Sequence, residues 1–246
     1  CDMQLVIDIG NTRIKAALFQ KDQLLEFLVF KDYKEVLESA LFNNSYVIKN
    51  CIVASVVDDI EQFVEELSKK INVLVFTSER PLPIKNLYKT ISTLGSDRLA
   101  AAVGGEFLFP GQDILIIDAG TCIKYNFVNE NKEYIGGAIS PGLQMRFKAL
   151  NTFTSRLPLV EVDLNFDSLI GVDTKGSILS GVEMGAIAEV NGFIDEYKLI
   201  YPNLKLLITG GDVNFFEKRL KNSIFADSYL ILKGLNRILN YNIKEA

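Results

Sequence analysis

VIDIGNTRIKAALF (residues 6–19) and IIDAGTCIKYNFV (residues 116–128) are two copies of one pattern: an apolar strand, an Asp-x-Gly-(Asn)-Thr turn and a second strand. With Asn11 counted as one extra residue, Asp8 matches Asp118, Thr12 matches Thr121 and Lys15 matches Lys124. Two copies about 110 residues apart are too few and too long for a stacked solenoid, so they mark an internal duplication. Each turn offers a carboxylate at a strand end, a glycine that lets backbone N–H groups approach a phosphate, and a threonine hydroxyl. Such a turn suits a magnesium-bound phosphate chain, and a single copy is equally a tight β-turn.

Around the first copy the sequence reads β-β-β-α-β-α-β. Strands are expected over 3–8, 12–20 and 24–30, a helix over 32–41, a strand over 51–57, a helix over 58–69 and a strand over 73–76. A stretch with Pro81 and Pro83 leads to a helix over 97–108. The second series starts at Asp113 with the apolar run ILIID. Strands over 122–128 and 133–139, helices over 141–150 and 174–199 and a strand over 204–208 follow, then a helix, a strand over 223–226 and a last helix over 228–239. The fold class is therefore α/β, with two similar lobes, 1–94 and 95–246, facing each other and a ligand in the cleft between them.

Composition narrows the chemistry. Lys and Arg total 26 against 31 for Asp and Glu, a formal net charge of −5, so there is no basic surplus for a nucleic-acid backbone. No apolar run reaches the roughly 18 residues needed to span a bilayer, and the first strand starts too early to leave room for a signal peptide, so a cytoplasmic protein is expected. Cys1-Asp2 ahead of Met3 carries no assigned function. Cys1, Cys51 and Cys122 lack CxxC spacing and read as reduced thiols, with Cys122 not assigned as a nucleophile. The chain has no histidine, which removes the commonest general base and metal ligand. Phosphoryl transfer tolerates that absence best, because positioning and charge stabilisation dominate its catalysis and a carboxylate can receive the alcohol proton.

Four further segments carry candidate chemistry. Gly95-Ser96-Asp97-Arg98 opens a helix, where Ser96 or Asp97 either caps the helix or serves a substrate, Asp97 as base and Arg98 as a fork for a carboxylate. Lys15 and Lys124 follow the two turns, each either a solvated strand lysine or a point charge on a phosphate. The run from Gly136 to Gly142 leads a strand into a helix, and Thr209-Gly210-Gly211-Asp212 is a β-to-α turn able to pack on a purine or ribose.

Taken in order, DIGNT (8–12), the segment from Tyr88 to Arg98, DAGT (118–121), GGAISPG (136–142), Asp173-Thr174 and TGGD (209–212) resemble the type III pantothenate kinases. These belong to the acetate and sugar kinase and actin superfamily, so the resemblance implies actin-like (ribonuclease H-like) lobes. It further implies ATP-dependent phosphorylation of the primary hydroxyl of pantothenate, the first step of coenzyme A synthesis, with Mg2+ accompanying ATP. On that basis Asp97 is the base and Tyr88, Gly95, Ser96 and Arg98 hold pantothenate, with Thr174 arriving from the second subunit of a homodimer. Asp8, Gly10, Asn11, Thr12, Lys15, Gly120, Thr121, Gly210 and Gly211 would serve ATP, and Asp118 a monovalent cation, K+ or NH4+.

One departure stands out. The family continues after DAGT with a threonine and then an aspartate two residues on, where this chain has Lys124 and Asn126. The exchange adds two units of positive charge beside the cation position, and Lys124 is expected to weaken or replace the monovalent ion or else to point into solvent. The alternatives to the kinase are a non-catalytic regulatory protein on the same fold and a kinase of another small acidic alcohol. Asp8, Asp97, Arg98 and Asp118 together favour the enzyme.

Overall fold

The computed structural model describes residues 3–42 and 47–245, so Cys1 lies outside the described residues. The chain forms two compact units, the first from residues 1–110, 132–134 and 229–246 and the second from 111–131 and 135–228. These units are drawn differently from a single cut after residue 94, because two long helices remote in sequence pack on each other in the first unit.

In the first unit, β1 (Met3–Ile9), β2 (Ile14–Gln20) and β3 (Gln23–Phe30) form an antiparallel meander. Parallel strands β4 (Ile48–Ser55) and β5 (Asn72–Val75) extend it to the order β3-β2-β1-β4-β5. Alternation puts Leu5, Ile7 and Ile9 of β1 beside Cys51 and Val53 of β4 on one face, closed by Phe63 and Leu67 of α2 (Glu61–Ser68). Ahead of α2, α1 (Tyr33–Leu37) is capped by Asp32, whose Oδ1 accepts from Glu35 N–H at 2.9 Å. The helix expected to run to Leu41 stops at Leu37 and resumes as a 3-10 turn at Ala40–Phe42. Cys51 is fully buried and burial pushes its thiol pKa up, which fits an inert structural cysteine. Short strand β6 (Lys85–Asn86) precedes α3 (Ser96–Leu108).

The second unit repeats the first strand for strand. β7 (Ile114–Ala119) pairs antiparallel with β8 (Cys122–Val128), and β9 (Glu133–Pro141) lies beyond β8. β10 (Lys205–Thr209) is parallel to β7, and β11 (Phe225–Ala226) is parallel to β10. Written from β9, the order β9-β8-β7-β10-β11 is that of β3-β2-β1-β4-β5, so the duplication read from two turns extends to a whole sheet. The first residues of β9, Glu133 and Tyr134, belong to the first unit and pair with β6. Every residue of β7 is buried, as its unbroken apolar run requires of a strand covered on both faces.

Helices α4 (Leu143–Thr152), α5 (Thr174–Leu179), α6 (Gly185–Ile200) and α7 (Val213–Glu217) complete that unit. The single helix expected over 174–199 is α5 and α6 joined by a π-helical turn at Ser180–Met184. Gly181 within this turn and Gly185 just after it meet no atom that a side chain would strike, while Val182 and Glu183 both turn inward. Glu183 Oε1 accepts from Asp163 N–H at 2.7 Å, and burial pushes its carboxyl pKa up.

The chain then returns to the first unit as α8 (Leu230–Glu245), which packs along α3 and against β1 and β4. The contact is close because glycines line it. A Cβ at Gly104 would lie 2.5 Å from the Leu230 carbonyl oxygen, and one at Gly234 would lie 1.8 Å from that of Ala100. The obstructing atoms are backbone, so relief demands separation of the helices. Gly234→Ala should destabilise the protein by about 2 kcal/mol, read as a lower melting temperature or urea midpoint; an unchanged midpoint would contradict this packing.

Candidate active site

Each unit gathers its motifs where the parallel strands end, the position at which open α/β sheets present ligands. In the first unit Asp8 is the penultimate residue of β1, 9% exposed and directly opposite Lys15 on β2. The turn between them is closed by Gly10 N–H donating to Arg13 O at 3.1 Å, and it leaves Asn11 and Thr12 exposed. The start of α3 reaches the same sheet edge. Ser96 Oγ donates to the Ser55 carbonyl at the end of β4, and Val56 N–H beside it donates to Ile9 O at 3.1 Å. The DIGNT turn and the Gly95–Arg98 segment therefore share one sheet edge.

Gly95 is the N-cap of α3 and offers no side chain to it, so neither Ser96 nor Asp97 caps the helix. Asp97 is half-buried in the first turn, where a negative charge suits the helix dipole, and its Oδ1 accepts from Arg98 N–H at 2.8 Å. A Cβ at Gly95 would sit 2.6 Å from that oxygen, so the glycine keeps space for the carboxylate. Arg98 is only 5% exposed and its guanidinium lies 5.6 Å from the centroid of the Tyr88 ring, a cation–π arrangement that fixes the fork.

In the second unit three motifs converge on the end of β7. Gly120 N–H donates to Cys122 O at 3.0 Å to close the DAGT turn, where Thr121 is exposed. Gly142 N–H donates to Thr121 O at 3.1 Å, and a Cβ there would lie 2.0 Å from Gly120 O, so GGAISPG packs directly on the turn. From the other side Asp212 N–H donates to Ala119 O at 2.9 Å. Gly210 takes a φ of +100°, and a Cβ on it would meet Ala119 O at 2.2 Å and Asp118 Oδ1 at 2.7 Å. Only glycine fits that approach. Thr174 is exposed in the first turn of α5, behind the capping residue Asp173.

Asp118 and Lys124 face each other across the β7–β8 pair, and Lys124 Nζ donates to Asp118 Oδ2 at 2.8 Å. Their side chains are 9% and 22% exposed, so Lys124 is not a solvated strand lysine. Burial, with the charge of Asp118 added, pushes the Asp212 carboxyl pKa above its ordinary value. A hard divalent ion takes carboxylate oxygens and shares them with phosphates, so Asp212, at the start of α7 beside the glycine-rich turns, fits Mg2+. A monovalent ion on Asp118 does not fit, because the lysine ammonium already holds Oδ2 and the Gly210 backbone crowds Oδ1.

The sequence left Asp212 and Ser55 out of the site, although Asp212 ends the quoted TGGD motif. It gave no signal for the network that anchors β9. Glu189 of α6 accepts from Ser140 Oγ at 2.5 Å, Arg146 Nη2 at 2.6 Å and Tyr125 OH at 3.0 Å. Burial raises the Glu189 pKa, but these donors outweigh it and hold the carboxyl below its ordinary value.

Duplicated sheets with a carboxylate turn at the end of each first strand define the actin-like fold of the sugar kinases. A ROK family glucokinase from Streptomyces griseus superposes with a TM-score of 0.57 at 13% identity, covering 97% of this chain and 98% of that one. A Campylobacter jejuni protein described as a Baf family transcriptional activator gives 0.63 at 22%, covering 98% and 99%. The chain belongs to the type III pantothenate kinase family, whose sequence pattern matches residues 4–196. The type III pantothenate kinase of Bacteroides fragilis is 49% identical over 242 residues, 98% of each chain. That of Flavobacterium johnsoniae is 46% identical over 244 residues, 98% of this chain and 99% of its own.

The raised Asp212 pKa has a thermodynamic consequence. The folded state holds that proton more tightly than the unfolded chain, so this residue's contribution to stability falls as pH rises through the carboxylate range. Asp212→Asn should therefore melt above the wild type at pH 7, with the difference closing below about pH 3.5, where both states are protonated; calorimetry across that range checks it.

Proposed function

We infer that this protein transfers the γ-phosphoryl group of ATP to the primary hydroxyl of pantothenate, giving 4'-phosphopantothenate in the first step of coenzyme A biosynthesis. The observation that carries the reading is near-full-length identity of up to 49% to type III pantothenate kinases, with Asp8, Asp97, Arg98 and Asp118 all present.

Asp97 is the general base in this reading. Its carboxylate accepts from the Arg98 N–H in a helix's first turn, and in this reading it takes the hydroxyl proton as the oxygen attacks phosphorus. Arg98, stacked on Tyr88, binds the pantothenate carboxylate, a bidentate match that a neutral sugar would not use. Gly95 and Ser96 shape the same pocket. Gly10, Asn11, Thr12 and Lys15 of the first unit and Gly120, Thr121, Gly210 and Gly211 of the second serve the nucleotide through backbone N–H groups, hydroxyls and one ammonium. Asp8 in the first unit and Asp212 in the second each offer a carboxylate of the kind Mg2+ takes, and the ion when bound would neutralise charge developing on the phosphates.

Thr174, exposed on α5, would complete the pantothenate pocket of a second copy, which makes the active species a homodimer. A cytoplasmic enzyme fits the substrates, and among the described residues no helix is long and apolar enough to cross a membrane.

ADP release from Mg2+-ATP, measured with and without pantothenate, tests the reading. Release should require pantothenate and fall about a hundredfold or more in Asp97→Asn, the scale of a lost general base; pantothenate-independent release, or an active Asp97→Asn, would refute it. Gly95→Ala should lower kcat with an unchanged circular dichroism spectrum, because its methyl group would displace the Asp97 carboxylate.

A further inference from the structure

We propose that the Lys124 ammonium is a built-in monovalent cation, seated on Asp118 where the family resemblance places K+ or NH4+, so that this enzyme needs no monovalent salt. The proposal takes its catalytic meaning from the kinase reading, but its physical test does not depend on it.

Three observations carry it. The first is register. Asp118 and Lys124 are direct cross-strand partners in β7 and β8, so the backbone ladder itself brings their side chains together. The resulting Nζ–Oδ2 distance of 2.8 Å is that of a charge-assisted hydrogen bond, and a half-buried pair escapes most of the screening that weakens surface ion pairs. Ile123, Tyr125 and Phe127 of β8 face the core of the second unit, which commits Lys124 to the opposite face, with Asp118.

The second is space. Asp118 Oδ2 is taken by the ammonium, and Oδ1 lies so close to Gly210 that a single methyl group there would collide with it at 2.7 Å. A free cation would have to sit against Lys124, like charge to like charge.

The third is charge. The family pattern pairs the turn aspartate with a threonine and a second aspartate, a net −2 that calls for a cation from solution. Here the corresponding residues are Asp118, Lys124 and Asn126, a net charge of zero, and Asn126 is fully buried and neutral. Lys124 is thus a positioning residue: it fixes the Asp118 carboxylate beside the DAGT and TGGD turns and offsets its charge against Asp212.

The test compares wild type, Lys124→Thr and Lys124→Arg in potassium, ammonium, sodium and choline chloride at one ionic strength, reading melting temperature and pantothenate-dependent ADP release. Wild type and Lys124→Arg should behave alike in every salt. Lys124→Thr should lose activity about tenfold or more in choline, the scale of losing a support of a charged ligand, and regain it in potassium or ammonium. Its melting temperature should rise in those two salts only, because an ion bound to the folded state stabilises it. The proposal is overturned by a wild type that melts higher or works faster in potassium than in choline. It is equally overturned by a Lys124→Thr that ignores potassium and ammonium. If no salt supports pantothenate-dependent turnover in wild type, the kinase reading fails, and the melting series still decides the cation question. If Lys124→Thr does not fold, the wild-type series alone decides it.

Discussion

Everything in this protein turns on putting a carboxylate at the end of a strand buried on both faces. Removing a charged group from water is costly unless hydrogen-bond donors or an opposite charge meet it, and a carboxylate placed this way dictates its surroundings. Around Asp118 those surroundings are the tight DAGT turn, the Gly142 approach, the left-handed Gly210 and the ammonium of Lys124. Around Asp8 they are a four-residue turn and the start of α3, set on the end of β4 by Ser96. The sheets give the two aspartates equivalent places, and the loops arriving at those places differ. One unit thereby brings Asp97, Arg98 and Tyr88 to its strand ends, and the other brings three glycine-rich turns.

What could be read from the sequence was local and periodic. The two Asp-x-Gly turns sit in the same registers, Asp8 opposite Lys15 and Asp118 opposite Lys124, because one extra residue in the first turn lengthens only the loop. The strand ILIID was legible because a short, β-branched apolar run that ends in a glycine turn suits a strand buried on both faces. The π-helical turn at Ser180–Met184 was not, because helical periodicity differs by a fraction of a residue per turn and Gly181 and Gly185, which carry no side chain, mask the slip. Nor was the placement of α3 and α8 in one unit, which depends on a contact between residues such as Ala100 and Gly234, far apart in sequence.

The site divides along the same line. Motif residues were found because their backbone demands, glycine above all, leave a mark in the sequence. Side-chain partners were not. Nothing in the order of residues says that Ser140, Arg146 and Tyr125 meet on Glu189, and alternation alone said that Lys124 and Asn126 share a face without saying what that face meets. The departure from the family pattern at those two positions became interpretable only once the ammonium was seen on Asp118.

The return of α8 to the first unit has a consequence for how the protein is made. The second unit is a continuous stretch but for residues 132–134, and all of it leaves the ribosome before α8 does. The first sheet, begun at Met3, has one face covered by α1 and α2, while part of its other side must wait for the last helix to be synthesised. The unit that holds the earlier strands is thus completed after the other, and during elongation it is an unfinished platform whose apolar side needs protection from aggregation. A chain ending early, through a nonsense codon or a protease, would strip the unit that carries Asp8 and Asp97 and leave the other whole.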